Sequence, residues 1–333
     1  MEKTAFILGN LLINWSAVIV TVATAAALCL FLWAYLRDTE DVRAGLLTAS
    51  LALVLALGAS RLLHWYCYEE TYGSLLAAMT DISQGGFSLT GAFAGCVAAA
   101  VLTRILRLHR SLPQMLDCMC LAGSGGIAVG RLSFFFNSGD RGQAVQSVRS
   151  MPWVYPLTNS VSGVTEYRLA TFLHQAMVAG AIFLALLVFF FTVRKKREKF
   201  GDATMIFLVC YGASQIMLDS MRYDSMYFRS NGFVSIVQVL GAVALGMVVI
   251  VSSVELVRAR GFKPRYLILW LVMAGLLGLA GYMEYHVQRH GNEALFAYSV
   301  MGSCLTALVV ITLVIRTLSK QATRKTKVGK FQR

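Results

Sequence analysis

The chain has 333 residues, 57% of them hydrophobic and only 14% charged. A soluble domain carries about 25% charged residues, so this sequence has too little polar side chain to coat a water-soluble particle. Four prolines and 28 glycines exclude a disordered or collagen-like chain, and the net charge of +13 is segregated along the chain in a way that points to anionic lipid headgroups rather than nucleic acid.

The first apolar run, TAFILGNLLINW at 4–15, is too short to span a bilayer and reads as an interfacial or re-entrant segment. It lacks the basic n-region and A-x-A site of a signal peptide. Nine runs then approach the roughly 20 residues that cross a membrane as a helix: 16–36, 44–63, 86–103, 114–136, 169–193, 203–221, 231–257, 265–283 and 295–315. None contains an interior proline. The expected fold class is all-α, a polytopic transmembrane helix bundle of nine spans.

Basic residues fix the expected orientation. With the N-terminus outside and the C-terminus cytoplasmic, 21 of the 30 lysines and arginines fall on the inside, in the segments around Arg37, Arg104, Arg194–Lys199, Arg258–Arg265 and Arg316–Arg333. The remaining nine are Lys3, Arg61, Arg131, Arg141, Arg149, Arg168, Arg222, Arg229 and Arg289. Arg61, Arg131, Arg168 and Arg222 sit at the outer ends of spans. Arginine binds phosphate through two parallel hydrogen bonds and keeps its charge when buried, so four at one depth suggest a shared anion site. Separate snorkelling to the outer headgroups is the alternative. Acids accompany them: Glu69, Glu70, Glu166, Asp219 and Asp224.

The longest outer segment, about 137–166, carries Pro152, Trp153, Tyr155 and Pro156 and reads as a cap over this end. Gly123, Gly125, Gly126 and Gly130 suit close helix packing. Gly85, Gly86 and Gly91 serve either packing or backbone contact with a ligand. His174, within a span, and His64, ending one, are candidate bases near neutral pH, or packed interfacial histidines. The seven cysteines fit neither a zinc pattern nor a disulfide framework, and no nucleotide or haem motif implies a cofactor. No metal is expected.

Gly130-Arg131-x5-Asn137-x4-Gly142 resembles the signature G-R-x-G-N-F-x-N-x-E-x-x-G of the bacterial prolipoprotein diacylglyceryl transferases. Tyr211-Gly212 with Asp219 and Arg222 is similar to that family's Y-G-x-x-R-x-x-x-E-x-x-R. Gly85-Gly86-Phe87-Ser88 through Gly95 resembles its G-G-x-S-x-H-G-G, and Leu57-Gly58-Ala59 with Arg61 its G-A-R segment. The blocks keep the family order over about residues 10–258. The resemblance implies a protein of the bacterial cell membrane that moves diacylglyceryl from phosphatidylglycerol to the lipobox cysteine of a secreted prolipoprotein. On that reading Arg131, Asn137, Tyr211, Arg222 and His174 are the candidate catalytic residues. Gly142, Arg61, Arg168, Asp219, Ser88 and Thr90 are the candidate substrate-binding ones, for a phospholipid and the prolipoprotein signal peptide. No nucleic acid is implied.

The sequence also departs from the family pattern. The motif histidine aligns with Thr90, the arginine after the motif tyrosine with Gln215, the first signature asparagine with Phe134 and the glutamate with Gly139; Asp140 is a stand-in one position on. A non-catalytic lipid- or partner-binding member of the same fold is therefore the second reading. A transporter is disfavoured because no paired Gly/Pro-broken inverted repeat is present. The expected organisation is a transferase-like seven-span module at 1–258, two added helices at 259–315 and a basic tail at 316–333. The tail reads either as a membrane-surface anchor or as a disordered solubilising segment.

Overall fold

The computed structural model describes residues 4–9, 11–39, 41–80, 85–109, 111–144, 154–158, 164–193, 200–229, 231–290 and 294–331. Trp153, Arg149 and the basic run Arg194–Lys199, singled out from the sequence, lie outside these residues. The first apolar run forms an antiparallel hairpin, β1 (Thr4–Leu8) and β2 (Leu11–Asn14). Gly9, at positive φ, begins the turn, and Phe6, Ile7 and Leu12 remain exposed.

Helices form along the apolar runs as α1 (Trp15–Leu36) and α2 (Val42–Cys67); two short helices outside any run follow, α3 (Glu69–Tyr72) and α4 (Leu75–Thr80), and the next runs form α5 (Leu89–Ile105) and α6 (Leu112–Gly130). After a 3-10 turn (Arg131–Phe135) come the hairpin β3 (Val154–Thr158) and β4 (Thr165–Leu169), then α7 (Thr171–Thr192) and α8 (Asp202–Ser220). A last hairpin, β5 (Tyr227–Phe228) and β6 (Asn231–Ser235), precedes α9 (Ile236–Arg260), α10 (Pro264–His290) and α11 (Ala294–Phe331). Among the described residues, eight helices are long and apolar enough to cross a membrane, and the protein is a multi-pass membrane protein. The ninth expected span is α5, with 17 residues. The run at 231–257 opens as a strand, and the fourth run leaves the α-helix at Gly130 because Arg131 begins the 3-10 turn.

Side-chain caps set several helix starts by satisfying the orphan N–H groups there. Asp41 accepts from Ala44 N at 3.0 Å, and Ser88 from Gly91 N at 3.2 Å. Asp117, an acid near the end of an expected span, accepts from Gly201 N, Thr204 N and Thr204 Oγ1 at 2.7–2.8 Å and so anchors the start of α8.

The chain divides into two compact units. The first comprises residues 1–207 and 221–236. Within it α2 and α5 meet backbone to backbone: a Cβ at Gly91 or Gly95 would collide with the carbonyls of Ala59 and Leu55. The packing role of Gly91 is thereby settled. A Cβ at Gly126 on α6 would stand 2.9 Å from Ala27 Cβ on α1. α1, α5 and α7 begin, and α2 and α6 end, at one end of this unit, where Trp15 lies 6.1 Å from Phe136.

The second unit comprises 208–220 and 237–333. Here α8 and α9 cross at Gly212 and Gly241, where a Cβ on either would stand 2.7–2.8 Å from the other's carbonyl oxygen. Gln238 Nε2 donates to Ile216 O and to the buried Glu284 carboxylate of α10, which also accepts from Gln288. Tyr298 of α11 donates to Ser220 O at 3.2 Å. These bonds fasten α10 and α11 to α8 and α9. The basic tail continues α11 as helix to Phe331.

Gly95→Ala is expected to destabilise the protein by about 1–3 kcal/mol through overpacking, seen as a lower melting temperature in detergent. Gly58→Ala, which meets nothing within 4 Å, is expected to leave it unchanged or higher.

Candidate functional site

At the end of the first unit where α6 stops, the chain gathers around Asp140, which has no exposed surface. Its φ of +56° is a left-handed conformation that aspartate tolerates better than most residues. One carboxylate oxygen accepts from Arg131 Nη1 at 2.7 Å. The other faces Arg222 Nε at 3.0 Å and Gln175 Nε2 at 3.1 Å. The backbone of Asp140 is used as well: its N–H donates to Asp224 Oδ2 at 2.7 Å, and its carbonyl accepts from Thr171 Oγ1 and Phe172 N at the start of α7. Arg222 reaches Asp224 Oδ1 at 3.1 Å.

Three backbone segments close this patch. Gly142 N donates to Leu169 O at 2.8 Å, Tyr223 N donates to Arg141 O at 3.0 Å, and Gly142 bridges to Arg222. A Cβ on Gly142 would stand 2.7 Å from Leu169 Cβ, which explains the glycine by close approach. Arg141, 2% exposed, donates to the carbonyls of Phe134 and Asn137 at 2.7 and 3.0 Å. Its guanidinium lies 4.3 Å from the Tyr155 ring centre and 4.5 Å from that of Phe172. Burial pushes its pKa down from the ordinary arginine value, while Tyr155, Asp140, Tyr223 and Asp224 push it back up.

The residues predicted from sequence divide into groups. Arg131 and Arg222 share Asp140. Arg168 lies beside them: Nη1 donates to Gly142 O, Nη2 pairs with the half-exposed Glu166, and the guanidinium stacks 4.5 Å over Tyr223. Asn137 is exposed and accepts from Gly139 N in a tight turn. His174, on α7, donates through Nδ1 to Ala170 O. Arg61 is buried in another setting, bound to the carbonyls of Ala78, Gly85 and Gly86 and to Tyr72. Ser88 caps α5, and its backbone pairs with Ser60; Thr90 is half-buried in the first turn of α5. Tyr211 and Asp219 are buried on the part of α8 that belongs to the second unit. Gln175, Thr171 and Arg141 carried no assignment from sequence. Thr171 and Gln175 are four apart at the start of α7, and that helical spacing was the available signal.

Two departures from the family pattern meet here. A Cβ at Gly139 would stand 3.0 Å from Phe134 Cε1. The bulky ring where the signature has asparagine therefore lies against the glycine where it has glutamate, and the carboxylate stands one residue on, at Asp140.

Fold and site together define a multi-pass membrane protein with a buried cluster of arginines and carboxylates at one end of a helical unit. A model of the prolipoprotein diacylglyceryl transferase family matches residues 3–254, and the chain belongs to that family. It is 27% identical to the phosphatidylglycerol–prolipoprotein diacylglyceryl transferase of Finegoldia magna over 252 residues, 74% of this chain and 94% of that protein. The enzymes of the same name from Nostoc sp. and Synechocystis sp. are 27% and 28% identical over 72% and 66% of this chain and 85% and 78% of theirs. The match ends before α10.

Asp140→Asn is expected to destabilise the fold by about 3–5 kcal/mol, because it removes the charge that compensates two buried guanidinium groups. Glu166→Gln, at an exposed pair, is expected to change stability by less than about 1 kcal/mol. Denaturant unfolding of the two variants checks the contrast.

Proposed function

We propose that this protein transfers the diacylglyceryl group of phosphatidylglycerol to the cysteine thiol of a secreted prolipoprotein, releasing glycerol phosphate. The observation that carries this reading is the pair Arg131 and Arg222, two signature positions 91 residues apart, held on one buried carboxylate. In this reaction the sulfur attacks the glyceryl carbon and the C–O bond breaks with its electrons on a phosphate oxygen. Guanidinium groups fixed before the reaction stabilise that developing charge. Asp140 orients them, Arg168 and Gly142 shape the adjoining wall, and Tyr211, Asp219 and Asn137 are assigned to the substrate's surroundings on the strength of the motifs alone. Ser88 and Thr90 are assigned to substrate binding on the same ground. The thiol also needs a base, since the thiolate is the nucleophile. With the motif histidine replaced by Thr90, His174 and His64 are the candidates.

The charge segregation supports a cytoplasmic C-terminus and a site on the outer face of a bacterial cell membrane. The family match over residues 3–254 supports a seven-span transferase module, residues 1–258, extended by two helices and a basic tail. A second reading, a lipid-binding member without catalysis, is favoured by Gln215. It replaces the family arginine, and its buried Nε2 has no hydrogen-bond partner among the described residues.

The purified protein in phosphatidylglycerol vesicles, given a lipobox peptide, is expected to yield a thioether-linked diacylglyceryl peptide by mass spectrometry. Arg131→Lys is expected to lower kcat about 100- to 1000-fold. A wild-type chain that binds phosphatidylglycerol yet forms no product, while a family enzyme does, would support the second reading.

A further inference from the structure

A second polar group closes the end of α2. Arg61 donates through Nη1 to Tyr72 Oη at 3.2 Å, and Tyr72 Oη lies 3.0 Å from His64 Nδ1. The guanidinium carbon stands 4.8 Å from the Tyr72 ring centre. The His64 ring packs against Tyr68 at 4.7 Å and Tyr72 at 5.7 Å. Gly86 covers the group with backbone alone. Its φ is +80°, and a Cβ there would collide with Tyr72 Oη and stand 2.7 Å from His64 Cε1 and 2.8 Å from Arg61 Nη1.

We propose that Tyr72 and His64 form the relay that takes the proton from the acceptor thiol; this rests on the transferase reading above. A guanidinium can only donate, so Tyr72 Oη accepts from Arg61 and its own hydrogen is directed at His64 Nδ1. His64 is then neutral, with Nδ1 as the accepting nitrogen. In the reaction the S–H proton passes to Tyr72 Oη as the phenolic proton passes to His64 Nδ1. The sulfur lone pair forms the S–C bond, and the C–O electrons leave on glycerol phosphate, which collects the proton from the imidazolium. Arg61 stabilises negative charge on Oη during the transfer.

Asp140 fits the task less well, because both its oxygens are held by Arg131, Arg222 and Gln175. His174 donates through Nδ1 to Ala170 O, which leaves Nε2 as its basic nitrogen, and it is the competing base that the experiment below has to separate from His64. One segment joins the two polar groups: Arg222 sits on Asp140, and seven residues on Arg229 binds Tyr66 O at 2.7 Å and Glu69 at 2.6 Å, beside His64. The relay also lies against the Gly85–Ser88 stretch that leads into Thr90, the position of the motif histidine.

The test uses the full chain in phosphatidylglycerol vesicles with a lipobox peptide. His64→Gln and Tyr72→Phe are each expected to lower kcat about 100-fold or more with KM for phosphatidylglycerol unchanged. The limb of the pH–rate profile due to the imidazole should be absent from His64→Gln. The double variant should be no slower than the slower single one, because the two act as a unit. Phosphatidylglycerol co-purified per chain reports the fold of each variant, and Tyr72→Phe, which keeps the ring under Arg61, carries the test if His64→Gln does not fold. Wild-type kcat in the folded variants, or loss of the pH limb in His174→Gln alone, overturns the relay. A wild-type chain that forms no thioether overturns the transferase reading, and the relay with it.

Discussion

The carboxylate of Asp140 has no exposed surface and stands between Arg131 and Arg222. Buried guanidinium groups are tolerated only when charge and hydrogen bonds compensate their lost hydration. That requirement draws four stretches of chain to one point: the 3-10 turn after α6, the loop through Gly142, the start of α7 and the segment after α8. Each supplies a group to Asp140 or to its arginines. The left-handed backbone of Asp140 is the local consequence, because only there can its N–H reach Asp224 while its carbonyl receives Thr171 and Phe172. A cluster built this way is held in place by its own ion pairs and hydrogen bonds.

The helices beneath provide the platform. In lipid there is no hydrophobic force between helices, so they associate through close packing at small residues. Gly91 and Gly95 bring α5 against the backbone of α2, and Gly126 brings α6 against α1. The same close approach lowers the Gly85–Ser88 stretch onto Arg61, His64 and Tyr72. Helix packing and the chemistry of that group are thus linked through glycines that the sequence left open between packing and ligand contact.

Much of this was legible in the sequence, because hydrophobic length and the distribution of basic residues are one-dimensional signals. The long helices lie where the apolar runs are, and Arg131 and Arg222 stand out in the sequence among four arginines at the outer ends of spans. Other parts were not legible. Each β-hairpin has strands of five residues or fewer, too short for a clear alternation. The joining of Arg222 to Asp140 spans 82 residues of sequence, and no local pattern encodes it. Arg61 looked equivalent to the other outer-end arginines by depth alone. Its partners distinguish it: its guanidinium is bound by backbone carbonyls of the short helix α4 and of the Gly85–Gly86 stretch, whose course the sequence does not specify.

The contact between the Phe134 ring and Gly139 couples these two positions. A Cβ at 139 would stand 3.0 Å from the edge of that ring and 3.5 Å from Asp224 Oδ2, which itself holds the backbone of Asp140. A larger side chain at 139 therefore asks the ring to give way, and a smaller one at 134 makes room for it. Substitutions at the two positions share one space, so their energies do not add.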